Sequence, residues 1–386
     1  MGDRGAIAGC VRATPKGAPI TVYLRGGEYF LSAGLVFGPS DSGVDGGVVT
    51  YAAYPGDAPA AAVLHNGVRV TGWALADAAR GIWAAPLPPG VADARQAYIN
   101  GARMEATNTG GGLSHASLWA HGYTTTDALP DLVGPNQGAV DIELLYTGVG
   151  SSWTECRLRV ASVAALPGGG TNITMAEPGF TLARNRYFGQ GVDFPASIAN
   201  LYALLGPSSP GQYYLNSVSR TIYYVPRAGE DLSSADVRVP GAVETLLRAA
   251  GVSTAASLTP ANFLAFEGLT FAYAGWLAPN HGEGYVDMQS GFRVLPTSTS
   301  DDDTWVPVPA AVRLRAVENV TISGCSFHAL GATALDADDS SQSVVVKNCS
   351  FVDVSCGGVY VGQVCARGCT RMRRFCSCTP CISCCE

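Results

Sequence analysis

Apolar residues recur at matching positions in three segments of the chain, Leu264–Phe271, Val320–Phe327 and Val344–Phe351. In each segment the first, third, sixth and eighth positions are apolar, and the last two copies begin 24 residues apart. A period in the low twenties with alternating apolar positions is typical of a solenoid built from short strands. We therefore predict β-strands whose inward side chains stack on their equivalents in the next copy, about 4.8 Å away.

The match between the last two copies extends to two further pairs, Leu330 with Val354 and Leu335 with Val359. The spacing of a leucine-rich repeat is absent, so the pattern favours an all-β fold of the β-helix type. Small residues mark bends that we expect to need a positive φ, namely Gly324, Gly331, Asn348, Gly357 and Gly358. Cys325, Cys349 and Cys356 are predicted to face inward as buried thiols, and pairing between two of them at one stack position stays open.

The rest of the chain can be divided by the length and spacing of its predicted strands and by the turn residues between them. Strands in Ile20–Leu31, Val48–Tyr54 and Val68–Trp73 continue the short rhythm, whereas the strands after residue 95 are longer and lack the 24-residue spacing. We predict the following organisation: 8–94, first β-helix coils; 95–178, an inserted small all-β domain; 179–260, a hairpin or flap and the return to the helix; 261–364, β-helix repeats; 365–386, a cysteine-rich tail.

The last 22 residues differ from the rest, since they hold seven of the 12 cysteines. The spacing Cys378-x-x-Cys381-x-x-Cys384 allows a small metal knuckle, but the two pairs share Cys381. The alternative, which we favour, is a segment of non-native sequence produced by a frameshift, a read-through intron or an alternative exon. The tail is excluded from the fold prediction.

Composition excludes several classes of protein. The net charge is −7 and only 14% of residues are charged, which argues against a nucleic-acid partner. No apolar run approaches the roughly 20 residues that cross a bilayer, so no membrane partner is expected. His65, His115 and His121 match no metal spacing, and we expect neither a metal nor a cofactor. We expect a monomer.

The succession of motifs resembles the right-handed parallel β-helix proteins of the pectate-lyase-like superfamily, and more narrowly proteins related to glycoside hydrolase family 141. The resemblance covers residues 8 to about 364. It rests on these segments: Val22–Tyr29, Asp41–Gly43, Ala53–Asp57, Val70–Trp73, Tyr98–Gly101, Trp153–Arg157, Gly211–Leu215, Ile222–Pro226, Phe266–Phe271 and Leu330–Leu335.

This resemblance implies a right-handed β-helix, a polysaccharide or oligosaccharide partner, and a secreted or extracellular location for the complete protein. Residues 1–10 are too short and too mixed in character to predict a signal peptide in this chain, whereas three acceptor sequons, at Asn172, Asn319 and Asn348, permit secretion. The sequence departs from the family pattern in two ways. The chain begins after the family's opening strand, and the tail replaces several further coils, so we expect a truncated form that is inactive if catalytic groups lie in those coils.

Candidate catalytic groups lie in the densest acidic and histidine cluster. Glycoside hydrolysis needs two carboxyl groups, about 5–5.5 Å apart for retention and about 6.5–9.5 Å apart for inversion. The candidate catalytic residues are Glu283, Asp287, His328, Asp336 and Asp338. The candidate sugar-binding residues are Trp276, His281, Tyr285 and Gln289. An active enzyme is expected to place Asp287 and either Asp336 or Asp338 on one groove.

Each candidate also has a structural interpretation. Asp336 and Asp338 can cap a solvated turn, His328 can be a satisfied buried histidine, and Trp276 and Tyr285 can be wall packing rather than sugar platforms. The favoured function is a glycoside hydrolase of a plant- or algal-type polysaccharide. The alternatives are a non-catalytic glycan-binding or surface structural β-helix, and a polysaccharide lyase, which the absence of lysine from the cluster makes less favoured.

Overall fold

The computed structural model describes residues 17–113, 115–126, 136–148, 153–167, 169–186, 191–254, 256–289, 291–294, 305–338 and 340–362. Within these ranges the chain is almost entirely β-structure, as predicted, with a single α-helix, Gly179–Arg186, that the sequence analysis did not predict. No helix in this part of the chain is long and apolar enough to cross a membrane. The predicted cysteine-rich tail lies outside the described residues.

The chain divides into two compact units. Unit 1 contains the described parts of 1–67, 240–275 and 309–386, and unit 2 contains those of 68–239 and 276–308. The predicted inserted segment, 95–178, falls within unit 2, which extends beyond it on both sides.

Unit 1 is built on three sheets of five parallel strands each. Sheet A contains Ile20–Leu24, Val49–Ala53, Ala261–Glu267, Val317–Ser323 and Gln342–Lys347. Sheet B contains Gly27–Phe30, Ala62–His65, Thr270–Ala272, Ser326–Leu330 and Ser350–Val354. Sheet C contains Leu35–Phe37, Leu247–Ala250, Ala310–Arg315, Thr333–Asp338 and Val359–Val361. Along the chain, a strand of sheet A is followed by one of sheet B and then by one of sheet C.

The predicted columns of apolar side chains are present in register. Val320 lies between Leu264 and Val344 in sheet A, and Phe327 lies between Phe271 and Phe351 in sheet B. The phenylalanine rings stack, with centroids 5.2 Å and 4.9 Å apart. The predicted pairs of Leu330 with Val354 and of Leu335 with Val359 are also confirmed. The 24-residue repeat therefore sets the register, because a slip of one residue would turn every apolar side chain outward.

The predictions for the bends are confirmed only in part. Gly324 and Asn348 have φ of 60° and 52° at equivalent positions, a region that glycine and asparagine tolerate best. Gly331, Gly357 and Gly358 do not have positive φ, so that expectation was wrong for them. At Gly357 the reason for a small residue is steric, because a Cβ atom would lie 2.3 Å from the Tyr360 ring.

The three repeat cysteines are free thiols. Cys325 is buried in the core of unit 1, as predicted, whereas Cys349 and Cys356 are only partly buried. The Cys356 sulfur lies 3.0 Å from the Tyr360 hydroxyl. The inward-facing prediction is therefore confirmed for Cys325 and for Cys349, which packs against the same core. The prediction of burial was wrong for Cys349 and Cys356, which are only partly buried because they lie in the last described strands and bends.

The remaining strands form four further sheets. The largest contains Ala116–Trp119, Gly122–Thr125, Glu143–Thr147, Glu155–Ala165, Thr171–Met175, Ser197–Ala199, Tyr285–Gln289, Phe292–Val294 and Trp305–Pro307. A five-stranded sheet contains Ala74–Asp77, Ile82–Pro86, Glu105–Ala106, Gln212–Asn216 and Thr221–Tyr224. A four-stranded sheet contains Gly67–Arg69, Tyr98–Ile99, Ala102–Arg103 and Val237–Pro240, and a two-stranded sheet contains Val252–Ser253 and Leu258–Thr259. Short 3-10 turns occur at Pro39–Asp41, Ala139–Asp141, Tyr202–Leu204 and Ala278–Asn280.

Two sequence predictions bear on these sheets. Gln212–Asn216 and Thr221–Tyr224 form an antiparallel hairpin, as predicted. The segment Val68–Trp73 was predicted to be part of the first coils, but the strand Gly67–Arg69 lies in the four-stranded sheet instead. The reason is its hydrogen bonding, since the Val70 amide donates to the Val237 carbonyl.

Unit 2 contains a buried ion-pair cluster centred on Glu143. Its carboxylate lies 2.5 Å from Arg95, 3.3 Å from Arg157 and 3.9 Å from Arg159. Burial alone would raise the pKa of Glu143, but the three guanidinium groups outweigh it and lower that pKa to about 2. The carboxylate therefore stays ionised and holds three arginines in place, two of them on the strand Glu155–Ala165.

We expect Glu143→Gln to lower the free energy of unfolding by about 3–5 kcal/mol, because removing one partner of a buried ion pair leaves the others uncompensated. Urea unfolding at pH 7 measures the effect. Glu155→Gln is the matched control, since Glu155 also pairs with Arg157 but is more exposed, and it should cost less than about 1 kcal/mol. Equal losses in the two variants would contradict a central role for Glu143.

Candidate functional site

The outward face of sheet C in unit 1 carries a row of charged side chains. Leu247, Val312 and Leu335 are aligned across three strands and buried in the core, so the next residue of each strand points to the opposite face. Those residues are Arg248, Arg313 and Asp336. Two positions further along the strands, the aligned residues are Ala250, Arg315 and Asp338. Two acidic and three basic side chains thus share one face.

Asp336 and Asp338 are joined by Arg313. The Arg313 Nη2 donates to Asp338 Oδ2 at 3.0 Å, and its Nε lies 3.4 Å from Asp336 Oδ2. Both aspartates are buried, at 2% and 4% exposure. The second carboxylate oxygen of Asp338 is also buried and has no hydrogen-bond partner among the described residues. An unpartnered buried oxygen of this kind costs stability unless a further group binds it.

The carboxyl group of Asp336 has a pKa well above its ordinary value. Burial and, to a smaller extent, the neighbouring Asp338 carboxylate raise the pKa of Asp336 to about 7, although Arg313 and Arg315 act in the opposite direction. One strand therefore carries a carboxyl group that is protonated near neutral pH, two residues from a second carboxyl group. A carboxyl group whose pKa is raised in this way by burial and by a neighbouring carboxylate is typical of acid–base sites.

We expect the raised pKa of Asp336 to make the protein less stable as the pH rises from about 4 to about 7. Over this range the unfolded chain releases the proton, because its carboxyl group ionises near pH 3.8, whereas the folded chain retains it. A pKa displaced by about three pH units corresponds to about 4 kcal/mol. Asp336→Asn should remove this loss.

Urea unfolding of both proteins at pH 4, 5.5 and 7 measures the difference. Glu318→Gln, which removes a carboxylate from sheet A, is the control and should keep the wild-type pH dependence. Identical slopes for Asp336→Asn and the wild-type protein would contradict the raised pKa.

His328 lies apart from the aspartate pair. It is in sheet B, next to Phe327, with its ring 5.9 Å from that of Tyr273. Burial lowers the pKa of His328, and Asp353 opposes that shift. Among the described residues no contact links His328 to Asp336 or Asp338, so the predicted histidine and aspartates lie on different sheets of unit 1.

The other predicted residues lie in unit 2. Asp287 Oδ1 accepts a hydrogen bond from the Gly291 amide at 3.1 Å, and burial raises the pKa of Asp287. The hydrogen bond to Gly291 is typical of a carboxyl group that stabilises a turn. Glu283 forms a 3.2 Å ion pair with Arg293. The predicted groove that combines Asp287 with Asp336 or Asp338 stays a prediction.

The predicted sugar-stacking aromatics are packed against each other. Trp276 is 7% exposed, and its ring meets that of Tyr285 at 5.6 Å in an edge arrangement. The guanidinium carbon of Arg293 lies 5.4 Å from the centre of the Trp276 ring. These contacts match the wall-packing alternative for Trp276. His281 is exposed at the end of the turn Ala278–Asn280, and the side chain of Gln289 lies outside the described atoms.

The sequence analysis missed part of the charged row. Arg248, Arg313 and Arg315 were not among the predicted site residues. A signal was present, because Leu247-Arg248-Ala249 repeats the apolar–Arg–apolar pattern of Val312-Arg313-Leu314. The alignment is not evident from the sequence because 64 residues lie between Arg248 and Arg313. Within the described ranges, no cluster of three or more His, Cys, Asp or Glu side chains lies close enough to hold a metal ion.

Comparisons with known proteins bear on the fold. No known protein-family pattern matches the chain, and no curated protein matches it. A solved structure described as "Glycoside hydrolase" aligns with a TM-score of 0.75 at 24% sequence identity, over 93% of this chain. The chain spans 63% of the length of that structure. Another, described as "The complex structure of XylC with xylose", aligns over 89% of this chain and 61% of its own length, at 11% identity, but its TM-score of 0.29 is too low to bear on the fold. The chain thus has a fold similar to that of a solved glycoside hydrolase.

Proposed function

We propose that unit 1 is a right-handed parallel β-helix. The recurring order of strands in sheets A, B and C supports this, as does the register of the 24-residue repeat. The handedness follows from the general rule that crossovers between parallel strands of one sheet are right-handed in about 98% of cases. The outward face of sheet C then forms a lateral wall on which successive coils present side chains in rows.

We further propose that the protein is a carbohydrate-active hydrolase acting on a plant- or algal-type polysaccharide, with Asp336 and Asp338 as its catalytic residues. The observation that carries the proposal is the pair of carboxyl groups on one strand, bridged by Arg313, of which Asp336 has a raised pKa. The likeness of fold to the structure described as a glycoside hydrolase supports it, although fold by itself does not determine activity.

In this mechanism Asp336 is the general acid, because its raised pKa keeps the proton available for the leaving-group oxygen. Asp338 is the general base that activates water. The Cα atoms of residues i and i+2 of a strand lie about 6.6 Å apart, and side chains that extend in parallel from them would hold their carboxyl groups at a similar distance, near the lower end of the roughly 6.5–9.5 Å between the carboxyl groups of inverting enzymes. Arg313 positions both carboxyl groups. We accordingly propose inversion, and secretion of the complete protein in keeping with the three sequons.

The test is an activity screen of the purified chain against fucosylated, xylan and pectic glycans. Reducing-end release measures hydrolysis, and proton NMR of the first product reports whether the anomeric configuration inverts. Ultraviolet absorbance by unsaturated products would instead indicate a lyase. Absence of any cleavage would contradict the hydrolase proposal.

One observation favours a second candidate, a non-catalytic glycan-binding β-helix. Asp336 and Asp338 are almost inaccessible to solvent, as expected of a structural ion-pair cluster. Glycan binding without cleavage in the same screen would support this candidate. The monomeric state also remains a prediction, which size-exclusion chromatography with light scattering tests.

A further inference from the structure

We propose that Arg248 and Arg315 form a binding subsite for the acidic group of an anionic glycan, either a uronate carboxylate or a sulfate ester. The inference rests on the proposed function, and it names the substrate class of the same wall of sheet C. Its support comes from a cavity, from the placement of charge around it, and from the chemistry of the guanidinium group.

The cavity opens on the outward face of sheet C and has a volume of about 350 Å³. It is lined by Arg248, Arg313 and Arg315 together with Thr245 and residues 34–36. The volume falls within the usual range of ligand pockets, about 300–1,000 Å³. Three of the seven lining residues are arginines and none is acidic, so the cavity presents positive charge to whatever enters it.

This concentration of positive charge is electrostatically unfavourable. Arg248 and Arg313 are directly opposite each other on adjacent parallel strands, and like charges placed so closely repel. Asp336 and Asp338 neutralise Arg313. The structure records no ion pair for Arg248 within its described residues, and Arg315 is exposed at the next outward position. A chain with only 24 Lys and Arg residues and a net charge of −7 thus gathers three of them around one cavity.

The chemistry of the ligand follows from the guanidinium group. Its planar fork of N–H donors matches the paired oxygens of a carboxylate, and it binds sulfate and phosphate oxygens in the same manner. Neutral sugars offer only hydroxyl groups, which gain far less from a cation. An acidic sugar unit held by Arg248 and Arg315 would lie beside Arg313, and Arg313 contacts both proposed catalytic carboxyl groups. The bond to the next sugar unit would then be close to Asp336 and Asp338.

Isothermal titration calorimetry on the intact chain tests the subsite. The probes are a galacturonate oligosaccharide, a sulfated galactan oligosaccharide, a neutral xylo-oligosaccharide of equal length, and a DNA oligonucleotide of matched charge. We expect one of the acidic oligosaccharides to bind at least 10-fold more tightly than the neutral one, which identifies the acidic group. Arg248→Gln and Arg315→Gln should each weaken that binding at least 10-fold.

Arg25→Gln is the matched control, because Arg25 is an exposed arginine of unit 1 that pairs with Asp57 away from the cavity. It should bind as the wild-type protein does. Equal affinity for acidic and neutral oligosaccharides, or for the DNA, would overturn the subsite, as would unchanged binding by Arg248→Gln.

Binding is measured without turnover, so the subsite proposal and the hydrolase proposal can be contradicted independently of each other. Arginine-dependent binding by a chain that cleaves nothing would contradict the hydrolase proposal alone. Hydrolysis of neutral glycans that does not depend on Arg248 or Arg315 would contradict the subsite alone.

Discussion

Asp338→Asn is expected to lower kcat/KM on the best glycan substrate by about 10²–10⁴-fold, the contribution typical of a general acid or base. Asparagine keeps the size of the side chain and an oxygen that can accept from Arg313 Nη2, which lies 3.0 Å from Asp338 Oδ2. It cannot take a proton from water. Initial rates of reducing-end release, measured across pH 4–9, give the effect.

Asp336→Asn should produce a loss of similar size and should also remove the fall in kcat/KM that we expect above pH 7, since Asp336 must be protonated to act as the acid. Glu318→Gln is the control for removal of a carboxylate from the same unit and should retain full activity. Thermal unfolding distinguishes catalysis from structure. Loss of activity in strict proportion to loss of folded protein would show that the pair is only a structural ion cluster.

The second large effect concerns the phenylalanine column of sheet B. We expect Phe327→Ala to lower the free energy of unfolding by about 3–5 kcal/mol, the usual cost of deleting a buried phenylalanine ring. Phe327 is fully buried, and it stacks on Phe271 on one side and on Phe351 on the other. Removal of the middle ring leaves a cavity bounded by two rings that the backbone register holds apart. Urea unfolding monitored by circular dichroism measures the loss.

Phe30→Ala provides the comparison. Phe30 is also in sheet B but is 54% exposed, so its removal should cost less than about 1 kcal/mol. A Phe327→Ala variant as stable as Phe30→Ala would contradict the predicted interior column and, with it, the proposed β-helix.

The repeat region was predictable from sequence because its information is local and repeated. Each of Phe271, Phe327 and Phe351 follows the same spacing from its own segment, so aligning three short stretches of sequence is enough to give the register. The alternation within Thr333–Asp338 likewise places Asp336 and Asp338 on one face.

The set of residues that makes up the candidate site was not predictable in the same way. Closeness in sequence suggested that Glu283 and Asp287 would join Asp336, and because they belong to unit 2 while Asp336 belongs to unit 1, that grouping stays a prediction. Arg248 lies 65 residues before Arg313 and becomes its neighbour only through strand pairing. The helix Gly179–Arg186 was missed because it contains glycine, threonine and asparagine, which have weak helix propensity.

The parallel sheets of unit 1 also have an evolutionary consequence. Residues 318 and 342 are direct partners in sheet A, so a duplication of 24 codons would insert one complete layer whose upper and lower faces both fit existing neighbours. Such a duplication would lengthen the lateral wall by about 4.8 Å and give it a second copy of each outward residue, without disturbing the interior. A surface that recognises a polymer could in this way be matched to longer ligands by copying sequence already present in the gene.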